Sequence, residues 1–248
     1  MDFTYNGYRK MIYSLREHGY RICTYRNWQC EEQCVILRHD IDNSIEKALQ
    51  LAEIEKEEDV ISTYFVMVTS DFYNVFSKKN EELLRGILSY GHNIGLHFDE
   101  MRYSDIFTPE DANNRIINEA ELLEKVIGEE VKEVSMHRPS KMILDADLKI
   151  SGEGEKQLTN SYSLLYFKEF KYISDSRRRW REPVDEIISN KLYPKLHILT
   201  HAFWYNDIEK DLRSSVLEFL NSGNRQRYET LLDNISNLSS IVKMEEIY

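Results

Sequence analysis

The sequence predicts an α/β fold in which helices alternate with strands of a mainly parallel sheet, open or closed into a barrel. Short apolar segments recur along the chain, and charged stretches with helical spacing lie between several of them. Strands that alternate with helices form βα units, which favour parallel pairing. The 248 residues include only 9 Gly and 4 Pro and contain no low-complexity linker or repeat. We therefore expect a single domain over 1–248.

The helical stretches carry recognisable start and stop signals. The predicted helices span 5–19, 44–58, 80–91, 109–127 and about 224–244. Asn43 or Ser44 is a suitable N-cap for the second of them. Gly91 suits the end of the third. Thr108, followed by proline, opens the fourth, which Gly128 ends. We expect the first helix to cover one end of the sheet and the last to pack on the sheet, with a homodimer interface as the alternative for its apolar face.

The apolar segments end in residues that can do chemistry. These segments are CVILRHDID at 34–42, VISTYFVMVTSD at 60–71, HNIGLHFDE at 92–100, EVSMHRPS at 133–140, KYISDSRRRW at 171–180 and KLHILTHAFW at 195–204. In a parallel sheet the carboxyl ends of the strands meet at one edge, where ligands bind. We therefore expect the His and Asp side chains at these ends to lie close together.

Charge and composition exclude several classes of protein. The chain has 43 acidic and 32 basic residues, and its net charge of −11 excludes a nucleic-acid binder held by overall charge. A hydrophobic content of 42% with 12% aromatics excludes a disordered chain. No apolar run is long enough for a membrane span and the N-terminus is polar, so we expect a cytoplasmic protein. Cys23, Cys30 and Cys34 do not have zinc-knuckle spacing, and we expect reduced structural thiols.

Two carboxylates follow the first apolar run. Strand periodicity places Asp40 and Asp42 on the same side of the chain. Neighbouring carboxylates repel each other unless a cation lies between them, or unless one binds a metal while the other acts as a base. The motif by itself leaves a solvated Asp turn before a helix open.

Three histidines end further apolar segments. They are His97, His137 and His201. Imidazole together with carboxylate is the ligand set that suits zinc, iron, cobalt or nickel. A lone His is usually structural, but the equivalent placement of these three beside Asp40 and Asp42 favours a metal site. His97 is therefore a candidate metal ligand.

The order of HDID, STYF, GHNIGLH, HRP and LTH over roughly 34–204 resembles the polysaccharide deacetylase family, carbohydrate esterase family 4. The resemblance implies a distorted (β/α) barrel with flanking N- and C-terminal helices. It also implies a divalent metal, most often zinc, with cobalt and nickel as alternatives. In the first motif of the family the earlier Asp is the general base and the later Asp binds metal, which assigns these roles to Asp40 and Asp42.

The second motif departs from the family pattern. Members supply two metal histidines four residues apart; here the first is His97, but the second position is Met101. Substitutes for the third ligand are His137, Asp99 and Glu100. We prefer His137 because it lies at a strand end rather than in a loop.

The remaining motifs imply roles around the base. MHRPS resembles the third motif, whose arginine orients the catalytic Asp, so Arg138 is expected to pair with Asp40. SDSRRRW resembles the fourth, which implies that Asp175 orients the catalytic His and that Trp180 forms an apolar wall. HILTH resembles the fifth, with His201 as the general acid.

An arginine run lies directly beyond Asp175 in this otherwise acidic protein. It contains Arg177, Arg178, Arg179 and Arg181. Guanidinium groups suit phosphate, so Arg178 and its neighbours are expected to bind a nucleotide- or lipid-linked sugar. A solvated charged loop is the alternative.

The resemblance implies a metal-dependent hydrolase that removes an N-acyl group, acetyl or formyl, from a sugar in surface-polysaccharide or O-antigen biosynthesis. The expected partner is the acylated sugar, without nucleic acid and without a membrane span. A catalytically degenerate carbohydrate-binding member is one alternative, and the departure at Met101 is its main support. A metal-dependent sugar isomerase or epimerase is the other.

Overall fold

The computed structural model describes residues 1–247. Its strands are β1 Arg21–Cys23, β2 Cys34–Ile41, β3 Thr63–Val66, β4 Asn93–Phe98, β5 Glu133–Met136, β6 Ile150–Ser151, β7 Gln157–Asn160, β8 Lys171–Ser174 and β9 Lys195–Thr200. Its helices are α1 Tyr5–Glu17, α2 Ile45–Glu57, α3 Lys78–Ser89, α4 Pro109–Ile127, α5 Lys141–Asp145, α6 Leu164–Glu169, α7 Val184–Ser189, α8 Leu212–Asn234 and α9 Leu238–Ile241. Short 3₁₀ turns follow β4, β9 and α9 at Glu100–Arg102, Ala202–Trp204 and Met244–Ile247.

The sheet confirms the predicted α/β class. Its strand order is β6-β7-β5-β4-β3-β2-β9-β8, with β1 also beside β2. Every pairing is parallel except that of β6 with β7. The pairings within residues 1–247 leave β6 and β8 as the two ends of the path. Closure into a barrel therefore stays a prediction.

The helix caps agree closely with the sequence signals. The Ser44 hydroxyl accepts a hydrogen bond from the Lys47 amide, so Ser44 rather than Asn43 caps α2. Thr108 and Asp111 form a capping box at the start of α4, and Gly128 ends that helix at φ 77°. Ser77 caps α3, which therefore begins two residues before the predicted boundary.

Strand β2 lies at the centre of the core. All eight of its residues are buried, including the polar residues Arg38, His39 and Asp40. Val35, Leu37 and Ile41 belong to a large apolar cluster with side chains of α1, α2, α4 and the neighbouring strands, and Cys34 and Ile36 belong to a second, smaller apolar cluster. Burial on both faces is the usual environment of a central parallel strand, so the polar side chains on β2 need specific partners.

The chain divides into two compact units, residues 1–207 and the segment from Ile208 onward. In the second unit, Asp211 caps α8 and the Tyr228 hydroxyl donates to the Val242 carbonyl at 2.7 Å. The predicted helix over about 224–244 has the wrong bounds, because the Asp211 cap starts α8 at Leu212. The single domain over 1–248 and the packing of the last helix stay predictions. No helix within residues 1–247 is both long and apolar enough to cross a bilayer.

Candidate metal centre and active site

Strand β2 and the loop after it supply three charged side chains of the site. Alternation along the strand directs Arg38, Asp40 and Asp42 to the same side. The first two are buried, and Asp42, just beyond the strand end, is about half-buried. The predicted placement of the two carboxylates on one side of the chain agrees with this geometry.

Asp42, His97 and His137 come together at the carboxyl ends of β2, β4 and β5. His97 Nε2 lies 3.2 Å from Asp42 Oδ1 and 3.2 Å from His137 Nδ1, and His137 Nδ1 lies 3.3 Å from Asp42 Oδ1. Parallel pairing of β4 with β5 makes this possible, since it places the residue after β5 beside the end of β4. One oxygen and two nitrogens thus form a nearly equilateral triangle.

The triangle fits a divalent metal. Asp42 Oδ1 is buried and has no hydrogen-bond partner within the described part of the chain. A tetrahedral metal with bonds of about 2.0–2.1 Å separates its ligand atoms by about 3.3–3.4 Å, close to the distances between these three atoms. One carboxylate with two imidazoles is a donor set that zinc and related metals accept. The second nitrogen of His97, Nδ1, is hydrogen-bonded to Ser135 Oγ at 2.6 Å, which fixes the ring orientation.

Met101 is 66% exposed in the turn after β4 and offers no ligand to the triangle. The three alternatives for the third ligand, His137, Asp99 and Glu100, have different surroundings. Asp99 forms an ion pair with Arg138. Glu100 accepts a hydrogen bond from the backbone N–H of Ser140, the N-cap of α5, at 2.6 Å. His137 is therefore the one of the three that the fold brings to Asp42 and His97.

His201, which is partly buried, and Asp175, which is fully buried, form a pair beside the triangle. His201 follows β9 and Asp175 follows β8, and the two strands are adjacent. His201 Nδ1 lies 2.6 Å from Asp175 Oδ1, and the His201 backbone N–H also donates to this carboxylate at 3.1 Å. His201 Nε2 lies 3.7 Å from Asp42 Oδ2. Burial lowers the pKa of His201, but the carboxylates of Asp175, Asp42 and Asp40 together outweigh burial, and the pKa rises to about 9. Nε2 therefore carries a proton at neutral pH.

Asp40 has the properties of a base. Its Oδ2 accepts a hydrogen bond from Arg38 Nη2 at 2.7 Å, and His97 Nε2 lies 3.7 Å from the same oxygen. Its Oδ1 is buried without a hydrogen-bond partner among residues 1–247. Burial raises the pKa of Asp40, but the positive charges of Arg38, His97 and His201 together outweigh burial and hold the pKa below its ordinary value. The carboxylate is thus ionised and keeps one oxygen available.

The expected pairing of Arg138 with Asp40 is wrong. Arg138 instead forms a two-point contact with Asp99 at the mouth of the site, and Arg38 is the cation beside Asp40. The physical reason is reach: Arg38 lies two residues before Asp40 on the same strand and the same face. Arg138 lies in the loop after β5, where Asp99 is within contact distance.

Arg38 is a site residue that the sequence motifs do not single out. It is fully buried, its Nη1 donates to Ser161 Oγ at 2.8 Å, and its guanidinium lies 5.1 Å from the Phe65 ring and 5.2 Å from the Tyr162 ring. Aromatic faces attract a guanidinium, so both rings stabilise its position. The signal was present in RHDID, since the same two-residue period that aligns the two carboxylates also aligns Arg38 with them.

A cleft of about 370 Å³ opens beside the triangle, lined by Asp42 and His137. The loops after β2, β3, β4 and β5 contribute the rest of its wall, including Asn43, Thr69, Asp71, Phe72, Met101, Arg102 and Arg138. Trp180 and Arg178 are not among the described residues that line it. Trp180 packs half-buried against the main core, and the Arg178 guanidinium lies 5.1 Å from the Phe3 ring. Their expected roles in substrate binding stay predictions.

Comparisons with known proteins give remote structural likenesses. No protein-family model matches the sequence, and no curated protein matches it. A chitin deacetylase from the fungal pathogen Colletotrichum lindemuthianum has a TM-score of 0.45 at 18% identity, over 78% of this chain and 84% of that one. The CE4 domain of a multidomain xylanase from a Trinervitermes trinervoides hindgut metagenome has a TM-score of 0.44 at 13% identity, over 85% and 91%.

A CE4 family pseudoenzyme from Bacillus anthracis has a TM-score of 0.43 at 15% identity, over 78% of this chain. This chain covers 62% of that protein, which is less than two thirds of its length. At these identities and TM-scores the likenesses carry no argument about activity, and the assignment of a function depends on the geometry of the site.

Proposed function

We propose that the protein is a metal-dependent hydrolase of the polysaccharide deacetylase type, which removes an N-acyl group from a sugar. The observation that carries the proposal is the convergence of a carboxylate–histidine triangle with an ionised Asp and a protonated His. Acyl hydrolysis needs these parts: an electrophile, a base for water and an acid for the leaving group.

The metal would be held by Asp42, His97 and His137. A divalent metal bound there supplies Lewis-acid activation of water and of the acyl carbonyl. Zinc is the metal we propose, with cobalt and nickel as alternatives of the same ligand preference.

Asp40 acts as the general base. Its Oδ1 accepts the proton of the water that attacks the acyl carbon, and Arg38 keeps the carboxylate ionised and oriented through Oδ2. The side chain is pre-positioned, because both its burial and its ion pair restrict its rotation. A positioned base contributes about 10²–10⁴ to the rate.

His201 acts as the general acid. It donates the Nε2 proton to the sugar nitrogen as the C–N bond breaks, while Asp175 accepts the Nδ1–H hydrogen bond and stabilises the imidazolium. The products are a carboxylic acid and an amino sugar. The bond cleaved is a C–N bond that is not a peptide bond.

The finer features belong to the same proposal. The acyl group is acetyl or formyl, the sugar is an intermediate of surface-polysaccharide or O-antigen biosynthesis, and the enzyme works in the cytoplasm. Arg178 binds the phosphates of a nucleotide- or lipid-linked sugar, and Trp180 forms an apolar wall of the substrate pocket. The carbohydrate-binding alternative depends on the departure at Met101, and the proximity of His137 to Asp42 and His97 supports the metal-dependent reading over it. The isomerase alternative differs in its products, since isomerisation releases no acid.

The test is acid release by zinc-loaded protein. The substrates are N-acetyl- and N-formyl-hexosamines, free and as their nucleoside diphosphate derivatives, and the readout is acetate or formate by NMR. Release that is lost in Asp40→Asn at unchanged zinc content supports the proposal. Zinc-loaded, folded wild-type protein that releases no acid from any of these substrates would contradict it.

A further inference from the structure

A buried polar chain lies behind the proposed active site, on the opposite face of β2. Its central member is His39, which lies between Arg38 and Asp40, whose side chains face the site. His39 Nδ1 is hydrogen-bonded to Thr200 Oγ1 at 2.6 Å, and His39 Nε2 to Glu55 Oε1 at 3.0 Å. All three members of this chain are almost completely buried. None of the proposed catalytic residues or metal ligands is a member of this chain.

Glu55 anchors the chain to α1 and to the start of β3. Its Oε1 also accepts the Tyr8 hydroxyl of α1 at 2.6 Å, and its Oε2 accepts the hydroxyls of Ser62 and Tyr64 at 2.5 and 2.7 Å. A buried carboxylate with every partner present is rigid, because breaking any contact leaves a polar group unsatisfied. His39 is therefore held from behind by a fixed acceptor.

The chain meets the strands at a specific position. His39 and Thr200 are the last Cα partners in the register of β2 with β9. The next residue on β2 is Asp40 and the next on β9 is His201. Since side chains alternate between the faces of a strand, both of these next residues point to the site. The side-chain hydrogen bond between His39 and Thr200 thus links β2 to β9 at their last paired residues. Asp40 and His201 follow directly after this pair.

We propose that the Thr200–His39–Glu55 chain positions Asp40 and His201 relative to each other by fixing the end of the β2–β9 pairing. The inference rests on the proposed function, because it assigns the chain to the acid and base of that reaction. Thr200 and Glu55 act through other residues and are positioning residues. Without the Thr200 hydroxyl, His39 Nδ1 loses its partner, and the two strand ends lose their side-chain link.

The test is a set of isosteric and conservative variants. Thr200→Val keeps the shape and the β-branching but removes the hydroxyl, and Thr200→Ser restores a hydroxyl. Thr63→Val is the matched control, because Thr63 is equally buried on β3 and its Oγ1 has no hydrogen-bond partner among the described residues. Each variant is assayed, zinc-loaded, for acid release from the best wild-type substrate, with zinc content measured in parallel.

Misplacement of reactive groups by about 1 Å lowers rates by about 10²-fold, so we expect Thr200→Val to lose about 10–100-fold in kcat with KM and zinc content unchanged. Thr200→Ser is expected to keep kcat within about threefold and Thr63→Val within about twofold of wild type. Wild-type kcat in Thr200→Val, or an equal loss in Thr63→Val, would overturn the positioning role.

A second readout is independent of catalysis. We compare the imidazole ¹⁵N resonances of His201 in the zinc-loaded wild type, Thr200→Val and Thr63→Val. A shift in Thr200→Val alone supports the positioning role, and unchanged His201 resonances in that variant overturn it. An inactive wild type combined with a shift in Thr200→Val refutes the proposed function while it supports the positioning of His201.

Discussion

Arg38 and Arg138 both form ion pairs near the site but differ in burial. Replacing each by methionine compares how much the two ion pairs contribute to the free energy of unfolding. Arg38 is 0% exposed and its partner Asp40 is 3% exposed. Arg38→Met removes the cation and leaves a buried carboxylate without its partner. Breaking a buried pair in this way costs about 3–5 kcal/mol of unfolding free energy. The pKa of Asp40 is expected to rise in this variant, because burial then acts without the opposing guanidinium.

Arg138→Met is the matched comparison. The Arg138 side chain is 58% exposed, and its partner Asp99 keeps a backbone donor, the Met101 N–H, when Arg138 is removed. An exposed ion pair of this kind contributes about 0–1 kcal/mol. The two variants remove the same charged group, so the difference between them reports the burial of the pair.

The assay is urea unfolding of the metal-free proteins at pH 7. For an m-value of about 3 kcal/mol/M, Arg38→Met is expected to lower the unfolding midpoint by about 1–2 M and Arg138→Met by less than about 0.4 M. Equal midpoint shifts, or a larger shift in Arg138→Met, would refute the assignment of Arg38 as the partner of Asp40.

Three further predictions follow from the same geometry. Burial raises the pKa of Glu55, but His39, His92 and the Ser62 hydroxyl together outweigh burial, and the pKa falls to about 2. A depressed carboxyl pKa stabilises the fold above the unfolded value, and this contribution, about 3 kcal/mol for a shift from about 4.5, is lost as pH falls from about 4.5 to 2. Thermal unfolding between pH 2 and 7 should therefore show a shallower acid loss in Glu55→Gln, and an unchanged pH profile would be inconsistent with an ionised Glu55. Asp40→Asn should keep its zinc by elemental analysis and lose about 10²–10⁴ in the rate of acid release, and an active variant would remove Asp40 from the mechanism. Met101→Ala should bind zinc as the wild type does in equilibrium dialysis, because Met101 is exposed outside the triangle; loss of zinc would show that the ligand set is incomplete.

Much of the fold could be predicted from local signals. The alternation of apolar and amphipathic segments identified β2, β3, β4, β5, β8 and β9, and the Thr108 cap with Gly128 identified both ends of α4. Strand-end placement also predicted the convergence of Asp42, His97 and His137. These features depend on local sequence and on the general geometry of parallel sheets.

Other features depend on side-chain contacts that a linear pattern does not encode. The choice between Arg38 and Arg138 as the partner of Asp40 depends on which guanidinium can reach it, and Asp99 competes for Arg138. The role of His39 depends on the register of β2 with β9 and on Glu55, which is sixteen positions away on α2. Strands β6 and β7 have few residues and no apolar run. They form because they pair with each other and with β5, which the local sequence does not encode.

Zinc content per chain tests the central claim most directly. The wild type and His97→Ala are purified without chelator, given zinc, dialysed and measured by elemental mass spectrometry. The account predicts about one zinc per chain in the wild type and none in the folded variant, because the triangle loses one of its three ligand atoms. Equal zinc in both proteins, or a wild type without zinc, would contradict it.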